Sequence, residues 1–248
     1  MRAAGRDRAW LLTHSDAELP AGQVEKFESW LTRRARQEPV QYILGETEFF
    51  GLTLRVTPDV LIPRPETEHL VESALERVRH DAAVRICDVG TGSGAIAVAL
   101  AHALPRAEVT ALDISAAALA VARENAERHG VAGRVRFVES DLMSAVRGER
   151  FDVVVSNPPY VRKDEVLEAQ VRDFEPPGAL FAGSTGLEIY ERLIPEARAA
   201  LVEDGWLLME IGHGQREELA HLLRDWDAVE FVADLQGIPR VAIAQRRG

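Results

Sequence analysis

A glycine-rich turn set directly between a strand and a helix limits this 248-residue chain more than any other feature. Residues 84–89 read as a buried strand, 95–104 as a helix, and Gly90-Thr91-Gly92-Ser93-Gly94 is all that joins them. Glycine lets the backbone turn tightly there and approach a ligand closely at a helix N-terminus. The same alternation continues downstream. Further strands are expected at 108–112, 135–138, 151–156, 206–211, 229–233 and 241–244. Helices are expected from Ser115, a capping residue, to Gly130, a left-handed stop, then from Leu187 to about Val202, with Pro195 as a kink, and over 215–226. Seven strands with intervening helices predict an α/β fold, a mostly parallel sheet covered on both faces. Only Asp234 to Arg240 separates the last two strands, too little for a crossover helix, so the last strand should run antiparallel.

Upstream of this unit, residues 1–45 read as a small helical domain. Asp16 or Ser15 is a candidate cap, and Val24, Phe27, Trp30 and Leu31 recur at helical spacing, as if leaning on the main body. Residues 46–65 form a linker built on a hairpin about Gly51 and stiffened by Pro58, Pro63 and Pro65. Residues 66–248 make the catalytic unit, opening with a helix face of Leu70, Val71, Ala74, Leu75 and Val78.

Two strand ends carry the chemistry. The strand at 151–156 runs without a gap into Asn157-Pro158-Pro159-Tyr160. Neither proline has an N–H to donate, so the ladder stops there, at the carboxyl end of the sheet where open α/β folds bind ligands. A planar amide or amine can give its two N–H groups to the Asn157 side-chain oxygen and a proline carbonyl, with Tyr160 against its face. Asp113, 19 residues after Gly94, ends the second strand, where a carboxylate can accept two ribose hydroxyls. The glycine string alone fits a nicotinamide cofactor as well as S-adenosylmethionine. The latter is favoured by Asp88, placed just before the loop to meet an ammonium group, by Asp141-Leu142 where an adenine edge would lie, and by Asn157–Tyr160 on the same rim. The plain alternatives are turn or cap roles for Asp113 and Asp141 and simple packing for Tyr160.

Composition removes other classes. The formal net charge is −11, from 29 Lys and Arg against 40 Asp and Glu, which argues against a broad nucleic-acid-binding face. A single cysteine, Cys87, sits inside a strand and rules out a disulfide framework or a cysteine-rich zinc site. No His/Cys cluster has ligand spacing, so no metal is expected. No apolar run approaches a membrane span and no signal-peptide core is present, which makes the cytoplasm the default setting.

Taken together, these stretches resemble the HemK/PrmC family of protein-(glutamine-N5) methyltransferases that modify peptide chain release factors. The resemblance is carried by Gln41–Gly45, by Leu61-Ile62-Pro63-Arg64-Pro65-Glu66-Thr67-Glu68, by Gly90–Gly94 and by Asn157–Tyr160. Phe174-Glu175-Pro176 and Gly237–Val241 match as well. It implies a class I, Rossmann-like methyltransferase fold, with S-adenosylmethionine as donor and S-adenosylhomocysteine as product. Gly90, Thr91, Gly92, Ser93 and Gly94 would wrap the methionine part, Asp113 the ribose, and Asp141 and Leu142 the adenine, with Asn157 bordering both ligands. Asn157, Pro158, Pro159 and Tyr160 would hold the substrate glutamine, with Asn157, Pro158 and Tyr160 as the catalytic set. Residues 61–68 would wall the pocket. Members usually carry a longer N-terminal helical domain, and the resemblance implies that this chain starts partway through it. A class 1 release factor is the implied partner, with no membrane and no nucleic-acid substrate.

Three rivals stay open at this stage. An adenine-N6 methyltransferase shares Asn-Pro-Pro-Tyr, but the loop 161–184 sets Arg162, Lys163 and Arg172 among acids and offers no base-reading module. A nicotinamide oxidoreductase lacks a hydride-relay constellation, His213 reading as a turn residue. A non-catalytic module would bind its partner without turnover.

Overall fold

The computed structural model describes residues 1–247. Three short helices come first: α1 (Arg8–Thr13), α2 (Ala21–Ala35) and α3 (Val40–Leu44). Asp7, not Asp16 or Ser15, is the side-chain cap, accepting the Trp10 N–H at 2.7 Å. Neither α1 nor α2 buries a residue, and Val24, Phe27 and Leu31 lie exposed along α2. The expected burial against the body is therefore absent; only α3 docks, through Tyr42 and Ile43.

The hairpin follows as β1 (Glu46–Phe49) and β2 (Leu52–Arg55), paired antiparallel. Its two-residue turn puts Phe50 at φ 50° and Gly51 at φ 72°, the left-handed pair that matches strand twist. Next come α4 (Glu68–Glu76), β3 (Arg85–Val89), α5 (Ala95–Ala103), β4 (Glu108–Asp113), α6 (Ala116–Arg128), β5 (Val135–Glu139) and β6 (Phe151–Ser156). The long loop after β6 contains β7 (Val161–Arg162), α7 (Ala169–Arg172) and β8 (Phe181–Gly183), too short to show a hydrophobic period. The chain ends with α8 (Glu188–Ala200), β9 (Leu201–Glu210), α9 (Arg216–Leu222), β10 (Asp227–Ala233) and β11 (Pro239–Gln245). Helix α8 runs through Pro195, and β9 starts five residues earlier than its apolar run suggests, with an irregular register against β6 near Asp204 at φ 59°.

Seven strands form one sheet in the order β10-β11-β9-β6-β3-β4-β5. Six run in the same direction, and β11, antiparallel to both β9 and β10, is the reversed strand. Strand alternation builds two cores. Ile86, Val153, Val155 and Leu208 face α4 and α5, whereas Cys87, Val154, Leu207 and Met209 face α8 and α9. A third, smaller cluster binds the linker to α6, through Tyr42, Val56, Val60 and Ile62 against Ala118 and Val121.

Asn125, fully buried on α6, ties hairpin, helix and glycine loop together. Its amide accepts from Arg55 N–H at 2.7 Å and donates to Arg55 C=O at 3.0 Å and Ser93 C=O at 2.8 Å. Asn125→Ala takes the side-chain partner from three backbone groups, the buried Ser93 carbonyl among them, so a loss of about 2–4 kcal/mol is expected in urea unfolding. An unchanged midpoint would show that the linker is held by its apolar cluster alone.

Candidate active site

The site follows from the register of two neighbouring strands. β3 and β6 are parallel, and Val89 pairs with Ser156 in the last rung. Ser156 Oγ donates to Val89 C=O at 2.7 Å, closing that rung with a side chain. The next residues are Gly90 and Asn157. The glycine turn and the Asn-Pro-Pro segment therefore leave the sheet side by side, at the point where strand order reverses.

Both line one cavity of about 420 Å³, together with Thr91, Gly92, Ser93, Asp113, Asp141, Leu142 and Pro159. The rest of its wall comes from Val60, Leu61 and Pro63 of the linker, from Thr67 just before α4, and from Pro176, Gly178 and Ala179 of the loop after β6. The linker and that loop are clamped to each other. Glu175, almost fully buried, accepts from the Arg64 guanidinium at 2.5 Å and from Ile62 N–H at 3.1 Å. Glu175 received no individual role from the sequence; the signal was its place in Phe174-Glu175-Pro176.

The loop's glycines divide into two kinds. At Gly90 (φ 74°) and Gly92 (φ 55°) a Cβ would meet nothing within 4 Å, so open space lies before the backbone. At Gly94 (φ 80°) a Cβ would sit 2.9 Å from the Cβ of Ala122, so this glycine serves the close approach of α5 to α6. Gly94 is not part of the cavity wall, contrary to the expectation that all three glycines wrap a ligand.

Asp113 holds the loop in shape. Its carboxylate accepts from Gly92 N–H at 2.8 Å and Ser115 N–H at 2.9 Å, while Gly90 and Thr91 N–H both reach Leu112 C=O at 2.8 Å. Burial pushes the Asp113 carboxyl up, against those N–H groups. Asp141 also borders the cavity, but its carboxylate is paired with Arg192 at 2.7 Å; Leu142 beside it is left-handed at φ 48°.

Asp88 departs from the sequence reading. It is fully buried beneath the turn, accepting from Thr91 Oγ1 at 2.6 Å and Ala97 N–H at 3.2 Å, and it does not line the cavity. Burial raises its carboxyl to about 7. Free aspartate loses its proton near pH 4, so between about pH 4 and 7 the folded state holds the extra proton and stability falls as pH rises. Asp88→Asn is expected to flatten that slope by roughly 2–4 kcal/mol between pH 4 and 8. Urea titrations at both pH values check it, and an unchanged slope would assign the effect to another carboxylate.

Asn157 reaches the cavity, and its Nδ2 donates to Thr67 Oγ1 at 3.1 Å. Pro158 is buried and Tyr160 turns away, its hydroxyl at 3.4 Å from Glu210 Oε1. Tyr160 does not line the cavity, so it is not the stacking face expected from the sequence; Pro159 takes the nearer position. Burial and the Glu210 charge drive the Tyr160 phenol upward, so it stays neutral. Among the described residues, no group of three His, Cys, Asp or Glu side chains is placed to hold a metal ion, and no helix is long and apolar enough to cross a membrane.

The comparisons with known proteins fit this geometry. Residues 67–175 match the family model described as methyltransferase small domain, and residues 1–45 match the PrmC N-terminal domain. The release factor glutamine methyltransferase of Koribacter versatilis is 46% identical over 243 residues, covering 97% of this chain and 86% of that one. The chain belongs to the release factor glutamine methyltransferase family. A second such methyltransferase, from Xylella fastidiosa strain 9a5c, is 44% identical over 100% of this chain and 91% of that one. Among solved structures, the 16S rRNA N2 G1207 methyltransferase of T. thermophilus, in complex with AdoMet and guanosine, gives a TM-score of 0.61 at 20% identity. It covers 82% of this chain and 50% of that one, and it speaks for the fold alone. That fold is the class I methyltransferase fold, with its mostly parallel seven-stranded sheet.

Proposed function

We propose that this protein transfers a methyl group from S-adenosylmethionine to the side-chain nitrogen (N5) of a glutamine in class 1 peptide chain release factors, the Gly-Gly-Gln glutamine by family resemblance. S-adenosylhomocysteine is the by-product, and the cytoplasm, where release factors work, is the setting. The observation that carries this reading is the side-by-side exit of Gly90 and Asn157 into one cavity. Family membership supports the release factor as substrate.

The cavity suits the donor. Left-handed Gly90 and Gly92 open onto unfilled space, and Asp113 stands at the end of β4 for the ribose. Leu142, Asp141, Thr91 and Ser93 border the same cavity, which supports the reading of the first two as the adenine's neighbours and the last two as the methionine's. When bound, the sulfonium supplies an electrophilic methyl group.

The protein's part is capture and orientation of a weak nucleophile. An amide nitrogen has its lone pair delocalised into the carbonyl. Asn157 Oδ1 and a proline carbonyl accept its two N–H groups, orient it, and stabilise the positive charge it gains. Holding reactants in near-attack geometry contributes roughly 7–11 kcal/mol in favourable models, and each preorganised polar partner about 3 kcal/mol. No general base is needed for the attack itself: as the C–N bond forms the C–S bond breaks and the donor would leave as a neutral thioether. The positively charged nitrogen, now strongly acidic, gives up one proton to water.

The test is mass spectrometry of a release factor after incubation with this protein and S-adenosylmethionine. One added methyl on a single glutamine is the expected result. Tritiated methyl appearing in DNA or RNA and not in the release factor would overturn it in favour of adenine-N6 chemistry.

A further inference from the structure

Behind Asn157 lies a buried polar chain that no part of the reaction scheme above uses. Asn157 Nδ2 meets Thr67 Oγ1 at 3.1 Å, and Thr67 Oγ1 meets Glu210 Oε2 at 2.5 Å. Glu210, at the end of β9, is 3% exposed and does not line the cavity, whereas Thr67 does. An ionised carboxylate only accepts, so the Thr67 proton points to Glu210. Thr67 then has only lone pairs to offer Asn157, and only the NH2 end of the amide can meet them. Among the described residues nothing donates to Asn157 Oδ1, which is the end left for the cavity.

We infer that Thr67 and Glu210 are positioning residues that lock the Asn157 amide with its oxygen toward the substrate. The inference rests on the reading of Asn157 as the acceptor for the glutamine amide. With the amide turned over, the substrate's N–H groups would face two more donors instead of an acceptor.

The lock is tied to the charge of Glu210. Burial raises that carboxyl to about 7; the hydroxyls of Thr67 and Tyr160 and the charge of Arg240 oppose the rise, and Glu66 adds to it. Tyr190 hydrogen-bonds the Glu210 backbone oxygen at 2.8 Å. Once protonated, Glu210 can donate to Thr67, which frees the Thr67 proton for Asn157 and favours the reversed amide. Turnover should therefore be present above neutral pH and lost as pH falls through about 7.

The chain has only two asparagines, Asn125 and Asn157, so selective nitrogen-15 labelling of the full protein shows two side-chain amides. The Asn157 pair should shift through about pH 7 while the Asn125 pair stays still. Glu210→Gln should abolish both that shift and the acidic limb of kcat. Thr67→Val should lower kcat about tenfold, with S-adenosylmethionine affinity by calorimetry changing less than about twofold, and Thr67→Ser should restore most of the rate. An Asn157 amide indifferent to pH, or an acidic limb that survives in Glu210→Gln and so belongs to Asp88, overturns the inference. If Asn157→Ala turns over normally, the underlying reading of Asn157 fails. If Asn157→Ala is inactive but Thr67→Val keeps its kcat, only the lock fails.

Discussion

Asn157→Ala is expected to lower turnover about a hundredfold or more, while affinity for S-adenosylmethionine changes by less than about threefold. The asymmetry comes from where the side chain sits. Asn157 follows the last paired rung of β6, and its amide is engaged by Thr67, not by the glycine turn. The turn is shaped by Leu112 C=O and the Asp113 carboxylate, neither of which hydrogen-bonds the Asn157 side chain. Removing the amide thus takes away an acceptor for the substrate nitrogen and leaves the donor's cradle in place. The loss should fall on kcat more than on KM for the release factor, because the acceptor acts on the nitrogen as it gains charge in the transition state. Single-turnover rates with release factor, set beside calorimetric affinities, separate the two quantities. A variant with near-normal kcat would mean that the nitrogen is held by something else.

What the sequence made legible was local in every case. The Gly90–Gly94 turn, the proline-broken end of β6 and the seven strands each declare themselves within a few residues, through periodicity or through groups that cannot donate. Thr67, Glu175 and Glu210 did not. Thr67 and Glu210 stand 143 positions apart, and Arg64 and Glu175 stand 111 apart, so no spacing rule connects them. Their pairing exists only once α4 has packed on the sheet and the loop after β6 has folded back over the linker. Asp88 and Tyr160 lie away from the cavity for separate reasons. Asp88 precedes the cavity-lining Val89 on β3, and strand alternation turns it inward, whereas Tyr160 lies in the loop after β6 with its hydroxyl toward Glu210. The apolar stripe of α2 shows the converse limit: its spacing correctly indicates a helix, and periodicity says nothing about whether a partner surface lies opposite.

The second large effect is expected on the donor side, at Asp113. Its carboxylate accepts Gly92 N–H at 2.8 Å and Ser115 N–H at 2.9 Å, so it fixes the turn and the start of α6 at once. Each hydrogen bond to a charged group contributes about 1.5–3 kcal/mol, and the proposed ribose contact is lost along with them. Asp113→Ala should raise the Kd for S-adenosylmethionine about a hundredfold, equivalent to roughly 2.7 kcal/mol. Asp113→Asn keeps one acceptor and loses the charge, so about a tenfold weakening is expected. The pH dependence has a definite sign. Burial raises this carboxyl above its ordinary range, and two N–H groups require it ionised. Affinity should therefore be full at alkaline pH and decline as pH falls through the raised value, with no such decline in Asp113→Asn. Calorimetry of the wild type and both variants from pH 5 to 8 tests this, and wild-type affinity in Asp113→Ala would remove Asp113 from the cofactor site altogether.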